Sequence, residues 1–488
     1  APAVSTTSGW AALPSPSDFA HTAKLLHVFC ENSCMDAKTC YSSSMIIQFS
    51  VSNYRCFREF QTLNLTASSD KSLPDNCIVT SLAGRPERRW LKGAAIYGAN
   101  ASGKSTVLNA LKALAGMVIH SAKITDATEP IRQIDPFALC PDHPEVPTAF
   151  GVVFVVDDTR YEYRVAATRK RIWHESLRAF PSARAQTWYA RDWSPESASY
   201  VWTPERPTGF QRDPQLESYT LSNMLFLSKA VANNRAELEP IFRWFKENLV
   251  FLDMSARSHL SLDYTLNQIE QQGEYCASIK ELLRHADIGV TGVETIEDGS
   301  PEKVEKLFAD VPVEIQKRFI KETWLRPSLI HAGMTPVQIP LPWETESAGT
   351  RRLFALAGPW LDILNRGKVV CIDELETSMH PHMVRELLRL FFDPAVNTGG
   401  AQVIFTTHNP LLLDTTLLRR DQVWFTDKDN KGAAHLYPLT DYSPRKGESL
   451  VRGYLSGRYG ALPFIPAGLL DAIPSYEGKE TTPEVPHD

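Results

Sequence analysis

Hydrophobic and polar positions alternate along the first well-patterned stretch of the chain, from Met45 to Tyr54. Alternation of this kind is typical of a half-buried strand, and the pattern continues to about Ser68, which predicts a pair of strands. Residues 148–203 hold short apolar runs separated by turn signals such as Asp157-Asp158-Thr159. We therefore predict an antiparallel meander there.

The period changes beyond residue 216, where apolar residues recur at helical spacing. Three stretches show this pattern: Ala236 to Leu249, Glu274 to His285 and Ser300 to Thr323. They predict a mainly helical insertion. A long coiled coil is not predicted, because the stretches show no sustained heptad repeat.

From residue 344 onward, helical and strand patterns alternate, which is typical of a parallel sheet with crossover helices. The predicted elements are a helix over Thr350–Leu364, a strand over Lys368–Ile372, a helix over His382–Phe392 and a strand over Ala401–Thr407. Earlier in the chain, Leu91–Tyr97 predicts a buried strand, and Lys104 to about Ile119 predicts the helix that follows it.

These patterns divide the chain into five predicted parts. They are an extension over 1–44 that is disordered and precedes a natural start at Met45, a first lobe over 45–215, a helical insertion over 216–335, a second lobe over 336–466 and a flexible tail over 467–488. The fold class that they predict is α/β, with an N-terminal antiparallel β subdomain.

Composition narrows the class of protein. With 51 Lys+Arg against 57 Asp+Glu among 488 residues, the net charge is −6, which excludes a globally basic nucleic-acid coat. A chain with 43% hydrophobic and 22% charged residues is an ordinary globular one. Apolar runs such as Val152–Val156 are far shorter than the roughly 20 residues that cross a bilayer. The eight cysteines lack zinc-ribbon spacing, and we expect a reduced, cytoplasmic location.

Gly98-Ala-Asn-Ala-Ser-Gly-Lys-Ser105 matches the phosphate-loop pattern and lies between a predicted strand and a predicted helix. Glycines let the backbone wrap a phosphate, and the N–H groups at the helix start point at it. We expect Lys104 to reach the β- and γ-phosphates of ATP and Ser105 to hold Mg²⁺. The predicted ATP-binding residues of this loop are Gly98, Asn100, Ser102, Gly103, Lys104, Ser105 and Thr106.

The apolar strand that ends in Asp373-Glu374 supplies the second half of a nucleotide site. Open α/β sheets bind their ligands at the carboxyl ends of the strands. We expect Asp373 to bind the magnesium shell, and Glu374 to polarise the attacking water or accept a proton from it.

Two further motifs follow the order of an ABC-type ATPase. Ser347-Ala-Gly349 begins a predicted helix and offers a hydroxyl and free N–H groups to an anion, although Ser347 on its own is equally typical of a helix N-cap. His408 ends the strand after Asp373-Glu374. A lone histidine at a strand end is more often structural than catalytic, but this is the position of the ABC switch histidine.

The four motifs resemble those of ABC-like ATPases of the AAA-fifteen type, which have an SMC-like head, and most of all the RloA-like proteins associated with restriction and phage-defence loci. The resemblance covers about Met45 to Ile465, including the closing segment Tyr454–Phe464. It implies a P-loop NTPase fold of the ABC/SMC-head type and an enzyme that hydrolyses ATP with Mg²⁺.

The resemblance also implies partners. The heads would form a homodimer or a higher oligomer, head to tail, so that Ser347 and Gly349 of one subunit cap the ATP held by Lys104 and Ser105 of the other. ATP state would control a separately encoded effector in an antiphage defence system. Glu376-Thr-Ser378 occupies the position of the dimer-contact loop, and Gln133 lies at a suitable distance for the Q-loop glutamine.

Two other functions remain open at this point. A nuclease of the overcoming-lysogenisation-defect family would use a metal pair such as Asp427-Lys-Asp429, but this stretch is more typical of a hairpin turn. His380-Pro-His382 is likewise more typical of a turn than of a metal pair.

An SMC-like repair ATPase would bind nucleic acid, and charge alone neither requires nor excludes that partner. The candidate basic residues are Arg243, Lys246, Lys280 and Arg284 in the insertion, and Arg445, Lys446, Arg452 and Arg458 near the C-terminal end.

Overall fold

The structure is a computed structural model that describes residues 44–82, 86–139, 145–252, 259–286, 289–297, 325–332, 338–445 and 447–463. The predicted extension before Met45, the predicted helix Ser300–Thr323 and the predicted tail lie outside these residues, apart from Ser44. The strands within them are β1 Met45–Ser52, β2 Gln61–Asn64, β3 Cys77–Thr80, β4 Arg88–Leu91, β5 Gly93–Gly98, β6 Thr148–Val156, β7 Thr159–Ala167, β8 Ile172–Phe180, β9 Gln186–Ser194, β10 Ser199–Thr203, β11 Leu249–Leu252, β12 Val290–Glu297, β13 Leu325–Ala332, β14 Gln338–Pro342, β15 Val369–Ile372, β16 Gln402–Thr406, β17 Val423–Lys428 and β18 Ala434–Pro438.

The α-helices of the described residues are α1 Lys104–His120, α2 Pro214–Ser218, α3 Phe226–Ala232, α4 Glu239–Arg243, α5 His259–Glu270, α6 Cys276–His285, α7 Ala348–Arg366, α8 Pro381–Phe392 and α9 Leu450–Leu455. A π-helical turn, Trp244–Asn248, follows α4 directly. None of the helices in the described ranges is long and apolar enough to span a membrane.

A six-stranded sheet forms the centre of the fold, in the order β11-β15-β16-β5-β17-β18. The first five strands of this order run parallel, and β18 returns antiparallel to β17. Strands β5, β15 and β16 are buried along their whole length, as expected for parallel strands covered on both faces. Because they are parallel neighbours, their carboxyl ends meet at one edge.

Successive residues of the central strands pack into two different cores. Ile96 and Ile404 belong to a core shared with α1 and the antiparallel sheet, whereas Tyr97 and Phe405 belong to one shared with α7 and α8. This alternation follows from the period of two along a strand. The central sheet is therefore covered on both faces, and α1 lies between the two large sheets.

The antiparallel sheet has seven strands in the order β10-β9-β8-β7-β6-β1-β2, which confirms the predicted strand pair and meander. The side chain of Gln402 joins it to the central sheet. Gln402 Oε1 accepts the N–H of Ile46 at 2.7 Å, and its Nε2 donates to the carbonyls of Ile46 and Leu91 at 3.1 and 2.7 Å.

A buried ion pair fastens the antiparallel sheet to α3. Glu175 and Arg191 are both fully buried and lie 2.8 Å apart, and Glu175 also accepts the N–H groups of Phe226 and Leu227 at the start of α3. Phenol hydroxyls from Tyr163 and Tyr189 complete the shell of Glu175. A carboxylate surrounded in this way is satisfied, as a buried charge must be.

Helices α3 to α6 lie in the insertion, and two of the predicted helices are observed there: α4 with the π-helical turn after it matches Ala236–Leu249, and α6 matches Glu274–His285. Strands β12 and β13 pair with β14, just beyond the predicted end of the insertion, in a three-stranded antiparallel sheet that helical periodicity did not reveal. Strand β11, within the same part of the chain, joins the central sheet beside β15. The predicted α/β class is observed, with an N-terminal antiparallel β subdomain and an insertion rich in helices.

Candidate functional site

The phosphate loop connects β5 to α1 through a backbone that few residue types adopt. Ala101 and Gly103 have φ of +61° and +114°, in the left-handed region. A Cβ added at Gly98 would lie 2.4 Å from Ser102 Oγ and 2.6 Å from the carbonyl oxygen of Thr426. Gly98 is therefore required by the close approach of β17, as the loop motif predicts.

Helix α1 begins without a capping side chain, because Gly103 stands at its N-cap. The first N–H groups of a helix have no partner within the helix, so this end suits an anion. Lys104 lies in the same loop and is 5% exposed, and its Nζ donates to the carbonyls of Gly98 and Ala99, both at 2.9 Å. Burial lowers the pKa of Lys104, while the charges of Glu374, Asp373 and Glu376 oppose that shift.

The other predicted loop residues have distinct positions. Asn100 is exposed at the tip of the loop. Ser102 Oγ is buried and lies 2.7 Å from Thr426 Oγ1. Thr106 Oγ1 accepts a hydrogen bond from Cys56 Sγ at 3.3 Å. The contacts of Ser102 and Thr106 therefore fasten the loop to neighbouring strands and turns.

Asp373 follows β15 and meets the phosphate loop directly. Its Oδ1 accepts the hydroxyl of Ser105 at 2.9 Å and that of Thr406 at 2.6 Å. Thr406 Oγ1 in turn accepts the N–H of Glu374 at 2.8 Å. Sequence reasoning did not single out Thr406, although its place at the end of β16, two residues before His408, is a signal that could have done so.

Glu374 and His408 lie next to each other at the same edge of the sheet. Glu374 Oε1 is 3.9 Å from His408 Nε2, and the two side chains are 55% and 38% exposed. Glu374 has a φ of +50°, an uncommon conformation for a residue with a side chain. Burial and the charge of Lys104 lower the pKa of His408, against the effect of Glu376, Glu374 and Asp373.

The Ser-x-Gly segment begins α7, as predicted. Ser347 is the N-cap of α7, and its Oγ accepts the N–H of Thr350 at 3.0 Å. A Cβ at Gly349 would lie 3.0 Å from the carbonyl oxygen of Ser378, so this helix start packs on the loop that follows Glu374. Within one subunit the contacts of Ser347 are those of a helix cap, and its role toward a second subunit stays a prediction.

Gln133 does not lie at the phosphate site. Its side chain lies 3.7 Å from the Cβ position of Gly116, twelve residues along α1 from Lys104. Twelve residues of α-helix span about 18 Å, so Gln133 is too remote to act as the Q-loop glutamine.

The alternative metal motifs are turns and caps, as favoured from the sequence. Asp427 Oδ2 accepts the N–H of Ala461, and Asp429 Oδ1 accepts those of Lys431 and Ala433 in the turn between β17 and β18. His380 is the N-cap of α8 and accepts the N–H of His382. Across the described ranges there is no cluster of three or more residues able to hold a metal ion through His, Cys, Asp or Glu side chains.

Solved structures of SMC heads are among those that resemble this chain. It resembles the SMC head domain from Thermotoga maritima at 12% identity and a TM-score of 0.35, over 80% of this chain and 98% of that one. It also resembles an SmcHead bound to the C-winged helix domain of ScpA, at 11% identity and a TM-score of 0.36, over 80% and 96% of the two chains. No curated protein matches the chain in sequence.

A family model matches residues 94–414, from the strand before the phosphate loop to beyond His408. Its description is "AAA domain, putative AbiEii toxin, Type IV TA system". The match covers more than half of the chain and includes the phosphate loop, Asp373 and Glu374. The chain therefore belongs to this family of AAA-domain proteins and is a P-loop NTPase.

Proposed function

We propose that this protein binds ATP with Mg²⁺, hydrolyses it, and uses the nucleotide to switch between two states of a head dimer. The observation that carries the proposal is the hydrogen bond of 2.9 Å between Ser105 Oγ and Asp373 Oδ1. It brings the phosphate loop to the edge of the central sheet at which Glu374 and His408 also lie.

Mg²⁺ fits the oxygen atoms present at this point. Ser105 supplies a hydroxyl oxygen and Asp373 a carboxylate oxygen, and Mg²⁺ prefers oxygen ligands shared with substrate phosphates. When bound, Mg²⁺ would neutralise charge on the phosphate oxygens. Lys104 would exchange its bonds to the carbonyls of Gly98 and Ala99 for bonds to the β- and γ-phosphates.

Hydrolysis requires a water molecule in line with the γ-phosphate. In the proposed reaction, Glu374 orients that water and accepts its proton. The water oxygen then forms a bond to the γ-phosphorus, while the bond to the β,γ-bridging oxygen breaks and ADP leaves. His408 donates a hydrogen bond to a γ-phosphate oxygen.

The dimer is proposed to be head to tail, with Ser347 and Gly349 of one subunit facing the ATP of the other. Gly349 packs on the carbonyl of Ser378, so the start of α7 and the loop after Glu374 form a continuous surface. In a dimer with two-fold symmetry this surface would meet the partner's phosphate loop, and the same pair of surfaces would make both sites.

The proposed biological role is antiphage defence from a cytoplasmic location, with ATP state controlling a separately encoded effector. Two observations support it: the motifs resemble those of RloA-like proteins of the AAA-fifteen type, and the description of the matched family names an AbiEii toxin and a type IV toxin–antitoxin system. A ligand that favours one of two states shifts the population of that state, which is how nucleotide would act on the effector.

Phosphate release from ATP, measured for the wild type and for Glu374→Gln, tests the proposed reaction. Loss of the carboxylate should slow turnover by roughly 100-fold or more. Glu386→Gln, an exchange of a carboxylate on α8 that pairs with Arg389, is the matched control and should leave the rate unchanged. Equal rates for the wild type and Glu374→Gln would contradict the role of Glu374.

The effector requires a separate test. Co-purification of this protein with the product of the neighbouring gene, with and without ATP, should show capture that depends on the nucleotide. Capture that is identical in both conditions, or absent from both, would refute nucleotide control of that partner.

A further inference from the structure

A third carboxylate, Glu376, connects the two loops that carry the proposed reacting groups. It lies two residues after Glu374, in the loop that follows β15. Its Oε1 accepts the backbone N–H of His408 at 2.5 Å. Since His408 follows β16 and the two strands are neighbours, this bond joins one loop to the other, beyond the bonds that Thr406 makes to Asp373 and Glu374.

The backbone around Glu376 holds its side chain in one direction. Glu374 and Ser378, two positions before and after it, have φ of +50° and +61°. The N–H of Thr377 donates to the carbonyl of Glu374, and that of Met379 to the carbonyl of Glu376. Non-glycine residues in left-handed conformations persist where the surrounding contacts over-determine them, and they cluster at functional sites.

Two polar atoms at this junction are buried without a hydrogen-bond partner among the described residues. They are Glu376 Oε2 and Asn409 Nδ2, the second on the residue that follows His408. Buried polar atoms without partners are rare because their desolvation is not compensated. Packing of this loop alone does not require a carboxylate. The charge of Glu376, or its ability to accept a hydrogen bond, therefore has a role beyond packing.

The position of the bond indicates that requirement. The backbone nitrogen of His408 is bonded to the Cα that carries the imidazole. A charge-assisted hydrogen bond to this N–H restricts the backbone of His408 more tightly than a neutral one would. The carbonyl of Asn409, two peptide groups further along, accepts the hydroxyl of Tyr97 at 3.3 Å. Both peptides at the end of β16 are thus held by side chains from neighbouring elements.

We propose that Glu376 is a positioning residue for ATP hydrolysis, which holds the peptide of His408 so that the imidazole faces the γ-phosphate. Glu376 acts through His408 and does not itself touch the nucleotide. The inference rests on the proposed ATPase reaction, and it adds a residue whose loss should affect the rate of turnover rather than the binding of ATP.

The test is a double-mutant cycle on phosphate release, with the wild type, Glu376→Ala, His408→Ala and the double variant. Glu376→Ala should lower kcat by roughly 10- to 100-fold, because a misplaced reacting group costs about that much, with KM for ATP changed less than about 3-fold. The double variant should be no slower than His408→Ala, since the effect passes through His408. Losses that multiply in the double variant would overturn the inference.

Two further variants separate positioning from a structural role. Glu376→Gln keeps an oxygen that accepts the same N–H and should recover most of the lost rate, whereas a rate as low as that of Glu376→Ala would overturn the hydrogen-bond role. Glu386→Ala, which removes a partly buried carboxylate on α8 that pairs with Arg389, should behave as the wild type.

A readout without turnover keeps the inference distinct from the proposed function. In protein labelled with ¹⁵N-histidine, the amide proton of His408, identified by its loss in His408→Gln, should resonate downfield and move upfield in Glu376→Ala. An unchanged His408 amide would overturn the inference. A wild-type protein that shows the downfield amide but hydrolyses no ATP would instead overturn the proposed function.

Discussion

Ser105 Oγ donates a hydrogen bond to Asp373 Oδ1 at 2.9 Å, although 268 residues of chain separate the two. Thr406 donates to the same carboxylate oxygen at 2.6 Å. The start of α1, the end of β15 and the end of β16 are thereby joined before any nucleotide binds. A site with its oxygen ligands already gathered loses less freedom when Mg²⁺ and ATP arrive.

Lys104→Ala should weaken ATP binding by roughly 100-fold or more, because the variant loses the one cation that the loop aims at the phosphates. Titration with a fluorescent ATP analogue measures this. Lys112→Ala removes an exposed lysine from the same helix and is the matched control. Affinity that is equal in the two variants would show that Lys104 does not contact the nucleotide.

Ser347→Asp should separate the cap of α7 from the role of Ser347 in a dimer. Aspartate caps a helix as well as serine does, so the free energy of unfolding should change little. Its charge should repel the partner's ATP and reduce hydrolysis to near the background rate.

Mixing Ser347→Asp with Lys104→Ala tests whether the pocket is shared. A head-to-tail heterodimer of the two variants keeps one complete site, so an equal mixture should recover roughly a quarter of the wild-type rate. Each variant on its own should be inactive. A mixture that is as inactive as its components would contradict the shared pocket.

The pKa of His408 should lie below its usual 6.5, because the side chain is partly buried and Lys104 is close. Lys104→Met should therefore raise the pKa of His408, and Lys112→Met is the control. A pH titration of protein with labelled histidine, followed by NMR, measures this pKa. A pKa that is unchanged or lower in Lys104→Met would rule out this electrostatic coupling.

The lowered pKa of His408 also makes the free energy of unfolding depend on pH. Between the lowered folded pKa of His408 and 6.5 the unfolded chain binds more protons at this residue than the folded chain does. The free energy of unfolding should therefore fall as pH falls through that window, and His408→Gln should reduce the fall. Denaturant unfolding of both proteins at several pH values measures it.

Gly98→Ala should disrupt the phosphate loop, since its Cβ would meet Ser102 Oγ and the carbonyl of Thr426 at 2.4 and 2.6 Å. We expect a loss of about 1–3 kcal/mol in the free energy of unfolding, together with loss of ATP binding. Gly151→Ala, whose new Cβ would meet its nearest atoms at 3.9 Å, is the matched control. Normal ATP binding by Gly98→Ala would be inconsistent with this geometry.

Much of the site could be predicted because its residues stand at fixed distances from elements that sequence patterns reveal. Lys104 and Ser105 begin a helix after a glycine-rich loop, and Asp373 ends an apolar strand, so local pattern alone places them. The predicted helices over Thr350–Leu364 and His382–Phe392 match α7 and α8 to within a few residues.

Other features depend on contacts between distant segments, which local patterns do not encode. Thr406 donates to Asp373 across 33 residues of chain, and Glu376 accepts from His408 across 32, so local pattern does not reveal either pairing. Gln133 was placed by its distance along the chain alone, which did not account for the length of α1. Strand β11 is only four residues long and directly follows helical turns, so the sequence shows no separate strand pattern there.

Gln402 shows how firmly the two large sheets are connected. Its amide stands in for a peptide group, with one bond to the N–H of Ile46 and two bonds to carbonyls on β1 and β4. One side chain of the central sheet, with no exposed surface, thus bonds backbone groups of β1 in the antiparallel sheet and of β4. Heating should consequently melt the two sheets together in one calorimetric transition, and neither should be stable when expressed alone.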